Sequence, residues 1–519
     1  MEENYRRYSI GIQNFEQLRN RNCVYVDKTE LVYRLANTDS VYFLSRPRRF
    51  GKSLLVSTLE AYFQGKKDLF KGLAMERLEK AWNVYPVFHI DFSLTKYTTL
   101  FDLQEQLNLF LLRCEKVYGA EKEEKTPAAR LQGMIRRAYE QTGLPVVVLI
   151  DEYDAPLLDS NFNIPLQQEL RNELRKFFSP LKGLGQYLRF LFITGISKFS
   201  QMSIFSELNN LKNISMRDDF SAICGITEKE IHAYLEDEVK ELADTQMTTY
   251  EETCLKLKQR YDGYHFTAKS EGIYNPFSLL NTFAKMEFGD YWFETGTPSY
   301  LVELLKHTHY DLYELANTET DADVLNSIYG DEEPLPVIFQ SGYLTIKGYD
   351  ERFGIYRLGF PNREVEEGFV RFLIPYYTRF NKIEAPFEIQ KFVQEIERGE
   401  PDAFFRRLQS FFADTPYELV KELELHYQNV LFIVFKLVGF YVKAEYHTSQ
   451  GRIDLVLQTD KYVYVMEFKL NGTAEEALQQ INDKQYALPF AADSREVFKI
   501  GVNFSNTTRN IERWVVEEL

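Results

Sequence analysis

Cysteine is scarce in this chain. Cys23, Cys114, Cys224 and Cys254 are the only four in 519 residues. They lie far apart with no CxxC pair, which excludes a disulfide scaffold and a thiolate zinc site and reads as buried thiols in a reducing compartment. Long apolar runs are missing too. No stretch reaches the ~20 residues that span a bilayer, and Met1-Glu2-Glu3-Asn4-Tyr5-Arg6-Arg7 lacks the apolar core of a signal peptide. The expectation is a cytoplasmic protein with no membrane partner. Net positive charge is also absent. Lys and Arg number 61 against 77 Asp and Glu, a formal net charge of −16. Such a field disfavours non-specific binding to nucleic acid or an anionic membrane, but it does not exclude a local basic groove. Aromatics, by contrast, are plentiful: 34 Tyr and 41 Phe in a chain 45% apolar argue against disorder. The length exceeds a single core, so roughly two to four domains are expected.

The stretch Ser45-Arg46-Pro47-Arg48-Arg49-Phe50-Gly51-Lys52-Ser53 stands between an apolar strand, Val41 to Leu44, and an apolar helix of about 51–64. Strand, tight loop, Gly-Lys-Ser and helix is the layout of a phosphate-binding P-loop. Backbone N–H groups at the helix start face phosphate oxygens. Lys52 supplies a mobile positive charge, Ser53 a hydroxyl for Mg²⁺, and Gly51 close backbone approach. The nucleotide-binding set read here is Arg48, Arg49, Phe50, Gly51, Lys52, Ser53 and Leu54. The usual GxxxxGK[ST] pattern has Gly where this chain has Arg46.

Downstream, Pro86 to Asp91 reads as a strand, about 101–119 and 127–142 as helices, and Pro145 to Asp151 as a strand apolar on both faces, as a central parallel strand is. It ends in Asp151-Glu152, at the sheet edge where the P-loop also lies. Asp151 is expected to hold Mg²⁺ and Glu152 to act as general base toward water. A helix at about 164–182 leads to a further strand, Leu188 to Gly195, whose tip carries Thr194 as a γ-phosphate sensor, with Ser197 and Lys198 as alternatives. Within residues 8–40, a structural lead-in and a base-binding role both remain open. The segments Tyr25-Val26-Asp27-Lys28-Thr29, Arg46 to Ser53, Asp151-Glu152-Tyr153-Asp154 and Ile193 to Phe199 resemble the bacterial and archaeal AAA-ATPase-like family. There the P-loop usually has this Arg-Pro-Arg-Arg-Phe-Gly-Lys-Ser form. The resemblance implies ATP binding by a P-loop domain of the additional-strand, AAA-like type. It identifies no arginine finger; Arg48, Arg49 and Arg217 are candidates.

Residues 226–310 read as a helical lid capped by Thr227, and Tyr261-Asp262-Gly263-Tyr264-His265-Phe266 and Tyr274-Asn275-Pro276-Phe277 also recur in the family. Their tyrosines read as packing and His265 as structural. Val337 to Ile346 and Ile355 to Leu358 read as hairpin strands ahead of a helix starting at Asn362, a winged-helix-like module whose acidic residues favour domain packing over DNA.

Two further strands, Gly451 to Leu457 and Tyr462 to Lys469, flank a polar turn. A two-residue turn at Asp460-Lys461 sets Asp454 opposite Glu467 and Arg452 opposite Lys469, with Cβ atoms about 5 Å apart on one face. Two carboxylates and a lysine among apolar strands are costly unless they bind something, and a divalent cation is the natural ligand. The arrangement resembles the Asp…Glu-x-Lys constellation of the PD-(D/E)XK nuclease superfamily, and the resemblance implies Asp454, Glu467 and Lys469 as the catalytic set beside Glu152. Glu424 on the helix at about 416–439 is the third metal carboxylate, Glu422 its runner-up. The segment Gln480 to Tyr486 resembles the helix after that core, where Gln480, with Gln479 next to it, and Tyr486 line the nucleic-acid groove. From Phe405 onward the charge is only slightly negative.

The expected fold is α/β: an AAA-like P-loop NTPase core over 1–225 with a parallel sheet, a helical lid over 226–325, a winged-helix-like module and helical linker over 326–404, and an α/β nuclease-like domain over 405–519. The expected activity is ATP binding with hydrolysis, coupled to metal-dependent cleavage of nucleic acid with Mg²⁺ or Mn²⁺. The alternative is an ATP-dependent switch that docks a protein partner. A homo-oligomer is left open.

Overall fold

The computed structural model describes residues 7–519 except 161–162, 198–203, 206–207, 209, 296–300, 302–304, 306–310, 316–317, 326–333, 379–380, 382–383, 413–422, 450–451, 470–471, 506 and 509. The chain forms two compact units, Met1–Gly296 with Glu319–Arg363, and Thr297–Thr318 with Glu364–Leu519. The module expected over 326–404 is therefore divided between them.

The first unit is built on a five-stranded parallel sheet: β1 (Val41–Ser45), β2 (Val87–Asp91), β3 (Val146–Asp151), β4 (Leu188–Gly195) and β5 (Lys212–Asn213), in the order β2-β3-β4-β1-β5. The strand after the Asp-Glu pair thus lies between it and the P-loop strand. β1 and β3 are buried throughout, and apart from Ser45 and Asp151 at their carboxyl ends they are apolar on both faces. The helices Leu100–Tyr118 and Pro127–Thr142 cover one face, with Leu107, Phe110, Met134 and Ile135 packed against Phe43, Val148, Ile150 and Ile193. Each fully buried side chain of this kind contributes roughly 1.5–3 kcal/mol. A Thr99–Asp102 capping box starts the first of these helices, and Thr126 with Pro127 starts the second.

The helix expected to reach 182 ends at Phe178 and continues as a 3₁₀ segment to Tyr187, because Pro180, Gly183 and Gly185 cannot propagate an α-helix. The lid is less helical than expected. β6 (Ile226–Thr227) pairs with β7 (Ile273–Tyr274), and the segment between the helix Tyr250–Tyr261 and β7 is a loop. The expected strand from Val337 is also corrected. Leu335–Gln340 is a helix, begun by Pro334 and Pro336, whose fixed φ suits a first helical turn, and ended before Gly342 at φ +91. The strand begins only at β9 (Thr345–Asp350), which pairs with β10 (Ile355–Gly359), itself paired with β8 (Glu319–Thr320).

In the second unit β11 (Lys443–Ser449), β12 (Arg452–Gln458), β13 (Tyr462–Lys469), β14 (Glu496–Ser505) and β15 (Asn510–Glu518) form a mixed sheet in sequence order, antiparallel except for β13–β14. The parallel pair is joined through the helix Ala474–Asp483, whose Ile481 packs on Val463, Val465 and Val497 and whose Ala477 is buried. The opposite face carries Phe468 against Phe405 of the helix Pro401–Phe412 and Phe435 of the helix Leu423–Val438. Among the described residues no helix is long and apolar enough to cross a membrane.

Candidate functional sites

The loop after β1 is shaped by two left-handed residues, Arg49 at φ +66 and Gly51 at φ +91. A Cβ at Gly51 would meet nothing within 4 Å, so glycine is needed there for conformation rather than space. Arg46, which stands where the usual pattern has glycine, turns away from the cavity. It is buried, with its guanidinium 3.9 Å above the Phe266 ring and Nη1 donating to the carbonyls of Ser45 and Ser215 at 3.0 and 2.7 Å. Burial pushes its pKa down to about 10. Phe50 anchors the loop, its buried ring 4.7 Å from that of Tyr264 and 5.5 Å from that of Phe266. Arg48 is exposed and its carbonyl accepts from Trp292 Nε1 at 3.0 Å. Arg49 is exposed too, its guanidinium 4.9 Å over Phe277. Arg217 pairs with Asp219 at the surface.

Lys52 is buried at the base of the helix Lys52–Phe63. Its Nζ lies 3.3 Å from the carbonyl of Pro47 and 3.2 Å from Glu152 Oε1. Ser53 is hydrogen-bonded to Asp151, which burial, and next the charge of Glu152, push up to about 7. Asp91 at the tip of β2 is the strand partner of Asp151 and adds to the negative charge there. Thr194 sits beside Leu44 of β1, fully buried, and its hydroxyl has no hydrogen-bond partner among the described residues. The alternative sensor Ser197 is engaged elsewhere, since its hydroxyl donates to Asp154 at 2.7 Å. Lys198 lies outside the described residues.

Two adjoining cavities open on this loop. One is lined by Gln13, Arg49, Gly51, Lys52, Ser53, Glu152 and Phe277. The other is lined mainly by apolar groups, among them Val24, Val26, Val32, Phe50, Ile226 and Leu280. They share Ser9, Gly51, Leu54, Pro276 and Leu280. A charged chamber joined to an apolar one fits a triphosphate joined to a base. Val24, Tyr25, Val26 and Lys28, from the segment whose sequence leaves two roles open, line the apolar chamber. There Lys28 pairs with Glu230 at 2.6 Å, and burial lowers its pKa. Asp154 had no role in the sequence reading. Its carboxylate is fully buried, pushed up to about 6 by burial and then by Glu152. Only the acid-rich run after β3 could have pointed to it.

In the second unit the counted register holds. Asp454 faces Glu467 and Arg452 faces Lys469 across β12–β13, and Thr459 N donates to the Tyr462 carbonyl at 2.8 Å across the Asp460-Lys461 turn. Glu467 is fully buried and lies beside Gly501 of β14; Lys469 is half-buried beside Asn503. A Cβ at Gly501 would stand 2.1 Å from the Ala474 carbonyl, so the glycine lets the helix Ala474–Asp483 close on the sheet next to Glu467. The backbone of Glu424 lies in the helix Leu423–Val438; its side chain and that of Asp454 lie outside the described residues, as does Glu422 entirely. Among the described residues no group of three or more His, Cys, Asp and Glu side chains is placed to hold a metal. Gln480 is half-buried near the end of the helix Ala474–Asp483, and exposed Gln479 donates to Asp483 at 2.7 Å. Tyr486 packs on the cluster of Val463, Val465, Ile481 and Val497, at the end of β13 away from Lys469.

The family model described as predicted AAA-ATPase matches residues 9–205, and that of the PD-(D/E)XK nuclease superfamily matches residues 422–514. A protein of Azotobacter chroococcum mcd 1, named "Uncharacterized protein in vnfD 5'region", is 35% identical over 530 residues, covering 99% of each chain. No solved structure matches the chain. The P-loop joined to a β2-β3-β4-β1-β5 sheet, the Asp454–Glu467 register and these matches agree: the chain belongs to the predicted AAA-ATPase family and carries a C-terminal domain of the PD-(D/E)XK nuclease superfamily.

Proposed function

We propose that this protein binds and hydrolyses ATP with Mg²⁺ at the P-loop of its first unit and cleaves phosphodiester bonds of nucleic acid with Mg²⁺ or Mn²⁺ at β12–β13 of its second. The observation that carries the reading is the pairing of Lys52 with Glu152 at 3.2 Å, whose charges both act on the buried Asp151 beside Ser53. The donor set fits the metal nucleotide: a buried carboxylate whose proton affinity is raised, a hydroxyl on it, and the orphaned hydroxyl of Thr194 nearby in the sheet. Ser53 and Asp151 would hold Mg²⁺, which neutralises charge on the transferred phosphoryl group when bound. The amides of Gly51 to Leu54 at the helix start, with Lys52, receive the phosphates. As Lys52 turns to the phosphates it releases Glu152, whose carboxylate is then free to take a proton from water.

In the second unit Asp454, Glu467 and Glu424 would hold a divalent cation, which lowers the pKa of its water when bound. Lys469 orients the nucleophile and counters phosphate charge, and Gln480 borders the substrate groove, whereas Tyr486, packed at the far end of β13, has no part in it. The test is cleavage of single- and double-stranded DNA and RNA with Mg²⁺ or Mn²⁺, with and without ATP. Cleavage lost in Asp454→Ala, and changed by ATP only when Lys52 is present, supports an ATP-gated nuclease. ATP turnover without cleavage of any substrate overturns the nuclease half and leaves a switch that docks a partner.

A further inference from the structure

Asp154 is held as no other carboxylate near the P-loop is. Its oxygens accept from Ser197 N and Ser197 Oγ, both at 2.7 Å, and from Ile196 N at 3.1 Å. Its neighbour Tyr153 adds two bonds to the same strand tip: Tyr153 N donates to the Thr194 carbonyl at 3.1 Å and Tyr153 Oη to the Ser197 carbonyl at 2.9 Å. The approach is close enough to require glycine opposite. A Cβ at Gly195 would lie 2.4 Å from Asp154 Oδ1 and 2.7 Å from two carbons of the Tyr153 ring. The turn that these bonds clamp carries Glu152, whose backbone is left-handed at φ +49. A non-glycine residue holds that conformation at a cost of order 1 kcal/mol or more and persists in it only where its surroundings over-determine it. Five hydrogen bonds from Tyr153 and Asp154 to residues 194–197 supply that determination.

We propose that Asp154 is the positioning residue of the hydrolytic site. By gripping Ile196 and Ser197 it fixes the turn after β3 against the tip of β4, and so aims the Glu152 carboxylate at the P-loop, where it now meets Lys52 at 3.2 Å. The inference rests on the reading of the first unit as an ATPase with Glu152 as its base. It assigns Ser197 to this grip and leaves Thr194 as the residue of that strand tip that can address a phosphate. Asp154 touches no reacting atom. Its effect is on turnover, because a base displaced by an ångström costs about 100-fold in rate while the phosphate cradle is untouched.

The experiment measures ATP affinity by titration calorimetry and steady-state phosphate release on the full chain, for wild type, Asp154→Asn, Ser197→Ala, Ser197→Thr and Glu152→Gln. Asparagine keeps the shape but turns an N–H group toward one of the N–H donors that the carboxylate accepts. Expected are a 10- to 100-fold fall in kcat for Asp154→Asn with ATP affinity within about twofold of wild type, a smaller fall for Ser197→Ala, and recovery in Ser197→Thr, which restores the hydroxyl. Wild-type turnover in a folded Asp154→Asn overturns the inference, as does loss of affinity in proportion to turnover, which marks a merely structural role. If Asp154→Asn does not fold, Ser197→Ala decides: kcat lowered at unchanged affinity supports the grip, and kcat unchanged overturns it. A wild type that neither binds nor hydrolyses ATP fails the underlying reading instead, and the inference falls with it.

Discussion

Lys52 and Glu152 are each other's counter-ion, and that sets what their variants do. Lys52→Ala removes the charge that meets the phosphates, so ATP affinity falls at least about 100-fold and turnover is lost with it. Glu152→Gln removes the base and frees the ammonium. ATP affinity is then equal to or higher than that of the wild type while phosphate release drops about 10²- to 10⁴-fold, a split that calorimetry and a phosphate assay resolve. A different residue governs acid sensitivity. His426, on the helix Leu423–Val438, is buried beside Tyr377, and its pKa is pushed down to about 4 by burial alone. The folded state keeps it neutral where the unfolded chain would protonate it near 6.5. Its contribution is therefore complete above that value and is lost as the pH falls toward 4, by about 3 kcal/mol at the upper limit. His426→Phe keeps the ring packing without the proton. The drop in melting midpoint between pH 7 and pH 4.5 is expected to be smaller in this variant than in the wild type. At this scale the sequence was readable where a motif names its atoms, as at Lys52, Ser53 and Asp151. It was silent where a side chain's role depends on distant partners. The resemblance accounts for Arg46 in the loop but not for the Phe266 ring under its guanidinium, and Asp154 takes its role only from Ser197, 43 residues on.

Elements were legible wherever period and punctuation agreed. β3 and β4 carry the apolar runs Val146–Ile150 and Phe190–Ile193, and β12–β13 could be counted residue by residue because its turn has two residues and a strand repeats every two. Val337 to Phe339 is an apolar run too short to show a period, and it is a helix rather than a strand because two prolines start it. Nor does the sequence announce close backbone approach. Gly263, at φ +94, would place a Cβ 2.2 Å from the Pro361 carbonyl, and Asn362 donates to the Asp262 carbonyl at 2.8 Å. The Tyr261 to Phe266 motif is thus a junction, with Phe50 on Tyr264 and His265 N on the Thr345 hydroxyl at 2.7 Å. The same steric logic yields a prediction at Gly501. An added methyl there would stand 2.1 Å from the Ala474 carbonyl and 2.5 Å from Leu478 N, both backbone atoms that cannot turn aside. Gly501→Ala should push the helix Ala474–Asp483 off the sheet, cost about 1–3 kcal/mol in urea unfolding, and lower cleavage more than stability alone explains, because Glu467 is the strand neighbour of Gly501. Unchanged stability would mean that the helix can slide freely on β14.

At the scale of the whole molecule the constraint is charge. A net charge of −16 gives no long-range pull toward a polyanion. Under the proposed nuclease reading, nucleic acid would be held by a few local contacts and by a divalent cation that Asp454 and Glu467 would hold. Two consequences separate this from a docking module that has kept the fold alone. Removal of divalent cations by a chelator should abolish cleavage, and added Mg²⁺ or Mn²⁺ should restore it. Binding of DNA by Asp454→Ala, measured from 50 to 200 mM salt, should weaken with a shallow slope of about −2 to −4 in log K against log salt, since each neutralised phosphate contributes about −0.9. A steep slope would reveal a basic groove that the composition hides. A flat one, with no cleavage at any metal concentration, would assign the second unit to a protein partner. In that case the buried Glu467 and the half-buried Lys469 would be remnants, and the Lys469→Ala protein should be as stable as the wild type and bind that partner equally well.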